Sequence, residues 1–217
     1  MSDVTEIEFR EYYSEPLYMN ADLETGVLYN RSGRRMIALT DDFMIGLHKA
    51  LEDEYGDKAA QVLHTCGRRW GTNFGVGLDQ EWSQFYGHSA KDFPIAMFHS
   101  LLTQEFGHNG WGNLQVHYEH LEQGVLWLAL EGAMMAEIYP GHRDSGAEGL
   151  TAGIFAGLFS YFFDRDLDCL QTQCSSKGYP DSRFVISTPK RIAEVKALLE
   201  KGESHAAVVT HLHHQCS

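Results

Sequence analysis

The sequence predicts an α+β protein in which a helical layer packs on an antiparallel sheet. Apolar residues recur at helical spacing between positions 40 and 107 and again over 150–163. Between these regions, residues 111–130 alternate apolar and polar side chains, which is typical of a hairpin with one buried face. Hydrophobic residues make up 43% of the 217 positions, enough for one sizeable core. We expect an N-terminal extension over 1–25, one domain over 26–200 and a His-rich tail over 201–217.

The first half of the chain predicts a hairpin followed by three helices. Residues 26–39 form two short strands around a turn at 30–33, and Thr40 can cap the next helix. A second helix is expected from about Lys58 and should end at the glycine-rich run 71–77. A third runs from about Pro94 to Gly107. The apolar faces expected for the first two helices are Phe43, Met44, Leu47, Leu51 and Tyr55, then Ala59, Val62, Leu63, Cys66, Trp70 and Phe74.

The second half predicts the sheet and two further helices. The hairpin turns at Glu122-Gln123-Gly124, and Ser145 with Glu148 forms a capping box for a helix over 146–163. Strands at about 165–174 and 183–188 and a helix over about 189–201 follow. The tail can form a frayed helix end.

The overall charge argues against a nucleic-acid partner, and the pattern of apolar residues indicates a compartment. Thirty acidic and 17 basic residues give a formal charge of −13, which repels phosphate backbones, so we expect no nucleic-acid partner. The N-terminus lacks the apolar core of a signal peptide, and no run reaches the roughly 18–20 apolar residues of a membrane span. We therefore expect a cytoplasmic protein with reduced thiols.

Three glycines at four-residue spacing mark one face of the helix expected over 146–163: Gly149, Gly153 and Gly157. Each interior glycine costs about 0.5–1 kcal/mol relative to alanine, so this face needs a compensating contact. Close packing against another element or a second copy is one interpretation. The other is that the face forms the wall of a pocket for a planar molecule.

His99 lies among apolar neighbours on the third helix, where it can be a core histidine or a ligand to a bound group. Large aromatic side chains predict either a solid core or the lining of an apolar cavity. They include Trp70, Phe74, Phe98, Trp111 and Phe159. No phosphate loop, nucleophile elbow or dinucleotide fingerprint is present, so nothing in the sequence favours an enzyme. The histidines of the tail have no fixed geometry and indicate adventitious metal binding.

Several motifs resemble those of the 4-vinyl reductase (4VR) domain family. The run "GRRWG" ends the second helical pattern, "GWGNLQV" begins the hairpin, and "DLDCLQTQCSSKGYPDSRFVI" follows the glycine-rich helix. The family's closing motif reads Glu-x-x-Cys-x-x-x-Gly-x-x-x-Cys-x-Phe. Here Cys174, Gly178 and Phe184 match, whereas Gln171 and Ser182 replace the acid and the second cysteine. The resemblance covers about residues 26–190.

That resemblance implies a fold similar to transport-particle (TRAPP) subunits and to haem-based nitric-oxide sensors. Some relatives hold zinc with cysteines of the closing motif. Only Cys169 and Cys174 remain here, and a structural zinc site needs four good ligands, so we expect none.

The function that the resemblance implies is binding of a tetrapyrrole such as chlorophyllide, chlorophyll or a haem-like pigment. The protein would act as a carrier or assembly factor for chlorophyll biosynthesis or a photosystem, in contact with proteins of those processes and peripheral to a photosynthetic membrane. His99 would be the axial ligand, the glycine face would meet the macrocycle, and Arg68, Arg69 or Arg143 would meet its propionates. The alternatives are a sensor module for a small aromatic molecule and a ligand-free interaction protein. A homodimer is expected in each case.

Overall fold

The computed structural model describes residues 12–13, 18–138 and 148–214. Within these ranges the strands form two antiparallel sheets. The first sheet has the order β1 (Met19–Asp22), β2 (Val27–Asn30), β3 (Arg35–Met36). The second has the order β4 (Asn113–His117), β5 (Leu126–Glu131), β7 (Ser182–Ser187), β6 (Asp168–Gln173). The hairpin expected over 111–130 is the pair β4–β5, in which Val116 lies opposite Leu128.

Helices cover both faces of the four-stranded sheet. In chain order the helices are α1 (Asp41–Tyr55), α2 (Ala59–Tyr86), α3 (Ile95–His108), α4 (Met134–Ile138), α5 (Gly149–Phe163), α6 (Pro189–Glu200) and α7 (His205–His214). Helix α5 lies on one face of the sheet, and α6 and α7 lie on the other. The α+β class and the helical layer on an antiparallel sheet are therefore confirmed. No helix within the described ranges combines the length and apolar character needed to cross a bilayer.

Helix α5 is the centre of the main core. It is buried along most of its length because it lies between α2 and the sheet. Its Phe155 packs on Phe184 of β7, with ring centroids 5.1 Å apart, and on Phe106 of α3 at 5.3 Å. Uniformly apolar sequence on all sides is what a helix at this depth requires.

Glycines on two helices allow α2 and α5 to pack backbone to backbone. A Cβ atom added to Gly153 would lie 2.2 Å from the carbonyl oxygen of His64, and one on Gly157 would lie 2.1 Å from that of Arg68. The reverse holds for α2, where a Cβ on Gly71 would lie 2.1 Å from the carbonyl oxygen of Ile154. The glycine face of α5 therefore meets a helix of the same chain. The interpretation of this face as a pocket wall is wrong, because no room for a planar ligand exists between the two backbones.

Helix α2 differs from its expected form in length and in buried face. It continues through the glycine-rich run 71–77 to Tyr86 instead of ending there. The helix tolerates these glycines because α5 packs closely against them, and this packing offsets their cost in helix propensity. Val62, Cys66 and Trp70, expected inside, are exposed at the surface.

Helix α1 exposes most of the apolar face that its sequence predicts to be buried. Phe43 is 52% exposed and Tyr55 is 51% exposed, whereas His48 is the buried residue of the helix. Met44 and Leu51 pack on a small cluster formed by Leu63, Leu150 and Ile154. The helix therefore packs through a narrow stripe.

A second, smaller core lies on the opposite face of the sheet. Helices α6 and α7 cover Val125 and Val185 there, and Val208 and Leu212 of α7 are fully buried. The segment 205–214, which the sequence assigned to the tail, is thus a packed helix.

Candidate functional site

A cavity of about 310 Å³ lies at the end of the sheet where β5 begins and β7 ends. Its walls come from the β4–β5 connection, from both of these strands, and from the last residue of α5 with the segment between α5 and β6. Six of its residues are apolar or glycine and one is charged. They are Leu121, Gly124, Leu126, Phe163, Leu167, Ile186 and Arg165.

Pairing within the sheet fixes the floor of this cavity. Leu126 and Ile186 lie opposite each other in the β5–β7 ladder, and both side chains are buried at the edge of the main core. The hydroxyl of Ser187 donates to the carbonyl of Gly124 at 2.8 Å, which holds the β4–β5 connection on the end of β7. Arg191 of α6 also donates to the carbonyl of Gln123. The cavity is thus formed by segments that several independent contacts hold in place.

The aromatic residues expected to bind a ligand separate into two groups. Trp111 is the centre of the first, with Trp70 at 5.3 Å and Phe74 at 5.2 Å between ring centroids. Phe98 and Phe159 belong to the second, in the buried core, 6.3 Å apart. None of these residues lines the cavity described above, and a ligand role for them stays a prediction.

His99 is half-buried on α3, and its ring lies 5.9 Å from that of Tyr118. Burial and the neighbouring His117 lower the pKa of His99, so its imidazole is neutral at pH 7. The hydroxyl of Tyr118 is buried and has no hydrogen-bond partner among the described residues. Tyr118 begins the connection whose later residues, Leu121 and Gly124, line the cavity.

Arg68 takes part in a surface network at the start of β6. Its guanidinium pairs with Asp166, and a second nitrogen lies 3.9 Å from Asp168. His64 lies 3.1 Å from the same Asp168 carboxylate, and this hydrogen bond raises the pKa of His64. These partners satisfy Arg68 within the chain. Arg143, the other candidate for propionates besides Arg69, lies outside the described residues.

The closing motif forms a hydrogen-bonded corner at the start of α5. Ser182 Oγ accepts a bond from the backbone N–H of Ser175 at 3.1 Å, and Gln171 lies 3.4 Å from Glu148. Glu148 has no solvent access, and burial raises its pKa to about 7, although hydroxyl groups of Ser182 and Thr151 bond to it. Its Oε2 and the Oε1 of Gln171 have no partner in the described part of the chain.

The donors of this corner do not fit a structural zinc site. Zinc in such sites takes four thiolate, imidazole or carboxylate ligands. Here the closing motif supplies one free thiol, that of Cys174. The other groups of the corner are the neutral hydroxyl of Ser182, the neutral amide of Gln171 and the carboxyl of Glu148, whose pKa is raised. Cys169 is also a buried free thiol, and burial raises its pKa far above the usual value. Across the described ranges, no group of three or more His, Cys, Asp and Glu side chains is placed to hold a metal ion.

Sequence reasoning did not find two buried acids, Glu81 and Glu105, that join the first sheet to the helices. Arg34 Nε lies 2.8 Å from Glu81 and its Nη2 lies 3.7 Å from Glu105. Burial is the main cause of the raised pKa of Glu81. The neutral donors, at 2.6–3.0 Å, are Tyr12 and Asn30 for Glu81, and Tyr13, Tyr18 and Asn109 for Glu105.

Fold and cavity together define a domain with an antiparallel sheet between helices and an apolar cavity at one end of the sheet. No protein-family model matches the sequence, and no curated protein sequence matches it. In structure the chain is similar to the phenol-responsive sensory domain of the transcription activator PoxR, solved with phenol. The TM-score is 0.64 and the identity 14%, over 87% of this chain and 92% of the other.

Two further solved structures match the chain at lower TM-scores. A trafficking protein particle complex subunit 3 from Naegleria fowleri, covalently bound to palmitic acid, gives a TM-score of 0.51 at 14% identity, over 68% of this chain and 91% of that one. A vinyl-4-reductase family protein from Methanocaldococcus jannaschii gives 0.44 at 14%, over 70% and 83%. The expected likeness in fold to transport-particle subunits is confirmed. At this identity, the first two comparisons show a shared fold.

Proposed function

We propose that this chain is a non-enzymatic binding domain for a small apolar molecule about the size of one aromatic ring. The observation that carries the proposal is the cavity at the β5–β7 end of the sheet, lined by Leu126, Phe163 and Ile186 among others. Its volume of about 310 Å³ lies at the lower end of the range of roughly 300–1,000 Å³ for ligand pockets. Apolar walls of this kind bind a ring by removing its surface from water.

The shared fold supports a sensory use of such a cavity. The PoxR domain is described as phenol-responsive, and it covers most of this chain's length. On this proposal, the ligand is an effector whose binding stabilises the β4–β5 connection on the end of β7. The signal would then pass to a partner protein by association.

Filling the cavity tests the proposal. Leu121 is partly exposed at the rim, so Leu121→Trp can place an indole in the cavity without repacking the core. The matched control is Leu23→Trp, because Leu23 is 91% exposed in the turn between β1 and β2. Calorimetric titration with phenol, toluene and benzyl alcohol should show saturable binding by the wild type and the control, and none by Leu121→Trp. Failure of the wild type to bind any monocyclic aromatic would reject the proposal.

A tetrapyrrole carrier is the second candidate, and the neutral imidazole of His99 favours it, because that is the form that ligates a metal. A macrocycle would have to enter between α3 and the β4–β5 connection, since the glycine face is packed against α2. Titration with chlorophyllide and haem, followed at the Soret band, tests this role. Saturable binding lost in His99→Ala would support it. In this role the protein would work beside a photosynthetic membrane with its assembly proteins.

The homodimer remains a prediction of this proposal. Four apolar side chains around the start of α1 are more than a third exposed, and a second copy could cover them. Light scattering after size-exclusion chromatography gives the mass directly. The four residues are Ile37, Leu39, Phe43 and Leu47.

A further inference from the structure

The cavity has one charged residue in its lining, Arg165, next to walls that are otherwise apolar. Arg165 lies two residues after Phe163, the last residue of α5. Its side chain is exposed, so it stands at the mouth. It has no ion-pair partner among the residues that the structure describes.

The chain reversal at the end of α5 fixes the position of Arg165. Asp164 adopts the left-handed conformation with φ 49°. The N–H of Arg165 bonds to the carbonyl of Ser160 at 3.2 Å, and that of Asp164 bonds to Tyr161 at 3.4 Å. This pair of bonds is a Schellman motif, which ends a helix and turns the chain back across its last turn. The turn brings Arg165 and Leu167 to the cavity.

Both acids beside Arg165 in sequence are paired with other cations. Asp164 accepts a bond from Lys91 at 2.5 Å, and Asp166 pairs with Arg68. Neither neighbouring carboxylate forms an ion pair with Arg165 in the described part of the chain, so its guanidinium is available to a ligand. On a chain with a formal charge of −13, such a local cation is the feature that an anionic ligand needs.

We propose that the cavity takes a small apolar monocarboxylate, with its hydrocarbon or aromatic body against Leu126, Phe163 and Ile186 and its carboxylate on Arg165. The inference rests on the proposed function and narrows its ligand class. Arginine presents two parallel N–H donors that match the two oxygens of a carboxylate. A neutral phenol or hydrocarbon would use the same walls without this contact.

Calorimetric titration of the full chain with benzoate and with benzamide, its uncharged counterpart of similar shape, tests the inference. Wild-type protein should bind benzoate about tenfold more tightly than benzamide, since a hydrogen bond between two charged groups is stronger than one to a neutral amide. Arg165→Gln should lose about tenfold for benzoate and nothing for benzamide, and Arg165→Lys should recover part of the loss. The control Arg35→Gln makes the same charge change at an exposed position in the other sheet and should leave both affinities unchanged.

The outcomes separate the two proposals. Equal wild-type affinity for benzoate and benzamide would overturn the carboxylate inference and leave the binding domain standing. Benzoate binding that is unchanged in Arg165→Gln would also overturn the carboxylate inference. The role of Arg165 would then be limited to stabilising the C-terminal end of α5, where a cation is favourable. Absence of binding by benzoate, benzamide and phenol together would overturn both. If Arg165→Gln fails to fold, the comparison of benzoate with benzamide in the wild type still decides.

Discussion

Glu105 shows what single residues contribute to the link between the first sheet and the helices. It has no solvent access, and its Oε2 accepts hydrogen bonds from Tyr13 at 2.8 Å and Tyr18 at 2.6 Å. The same carboxylate raises the pKa of both phenols, after burial, which is the larger cause. The tyrosines therefore stay protonated and act as donors.

Removing one of these donors should be costly. We expect Tyr18→Phe to lower the free energy of unfolding by about 1–3 kcal/mol, because it leaves part of a buried carboxylate without a partner. The control Tyr179→Phe removes the same hydroxyl from a ring that is 52% exposed and should have no measurable effect. Urea unfolding followed by tryptophan fluorescence measures both. Equal stability of the two variants would show that the Tyr18 bond contributes nothing.

The sequence could not predict this network, because its members are far apart in the chain. Glu105 and Tyr18 are 87 residues apart, and Glu81 and Tyr12 are 69 apart. Glutamates on amphipathic helices usually face water, so neither acid carried a local signal of burial. The same holds for the cavity, because its lining comes from three separate stretches of the chain, 121–126, 163–167 and Ile186.

At the scale of the elements, periodicity predicted most limits well and failed where two helices meet by their backbones. Helix α3 was expected over 94–107 and spans Ile95–His108. For α2, the pattern followed large side chains and assigned Trp70 to the inside, whereas the buried stripe contains Gly67, Gly71 and Gly75. Hydrophobic periodicity counts apolar side chains, so it does not register a face whose contact depends on having none.

The glycine contact between α2 and α5 gives the prediction at this scale. Gly153→Ala should destabilise the protein by about 1–3 kcal/mol, since its Cβ would lie 2.2 Å from the carbonyl oxygen of His64 and neither backbone can move freely. Gly46→Ala is the matched control inside α1, where an added Cβ meets nothing within 4 Å. That substitution should stabilise by about 0.5–1 kcal/mol through helix propensity. Thermal unfolding by circular dichroism measures both, and a neutral Gly153→Ala would contradict the close contact.

For the molecule as a whole, strand β6 separates two buried ionisable groups on opposite faces of the sheet. Gln171 lies beside Glu148 in the hydrogen-bonded corner at the start of α5. The next residue, Thr172, bonds through its hydroxyl to Nδ1 of His205 on α7 at 2.7 Å. Burial raises the pKa of Glu148 to about 7 and, together with Arg183, lowers that of His205 to about 4.

These two groups make stability depend on pH in opposite directions. Between pH 4.5 and 7 the folded state keeps a proton on Glu148 that the unfolded state releases, so the free energy of unfolding falls as pH rises. Between pH 4 and 6.5 the unfolded state binds a proton on His205 that the folded state excludes, so the free energy of unfolding rises with pH. Over the shared window the two contributions cancel in the wild type.

Single substitutions should therefore reveal slopes of opposite sign between pH 4.5 and 6.5. Glu148→Gln removes the contribution that falls as pH rises. The free energy of unfolding of this variant, relative to the wild type, should therefore increase with pH by up to about 3 kcal/mol. His205→Asn retains a hydrogen-bonding partner for Thr172 and removes the contribution of His205, which rises with pH. The free energy of unfolding of this variant, relative to the wild type, should decrease with pH by a similar amount. The double variant should follow the wild type, and urea unfolding at four pH values measures all three. A Glu148→Gln profile parallel to that of the wild type would mean that Glu148 is ionised in the folded protein. The α5 corner would then hold a buried charge instead of a proton.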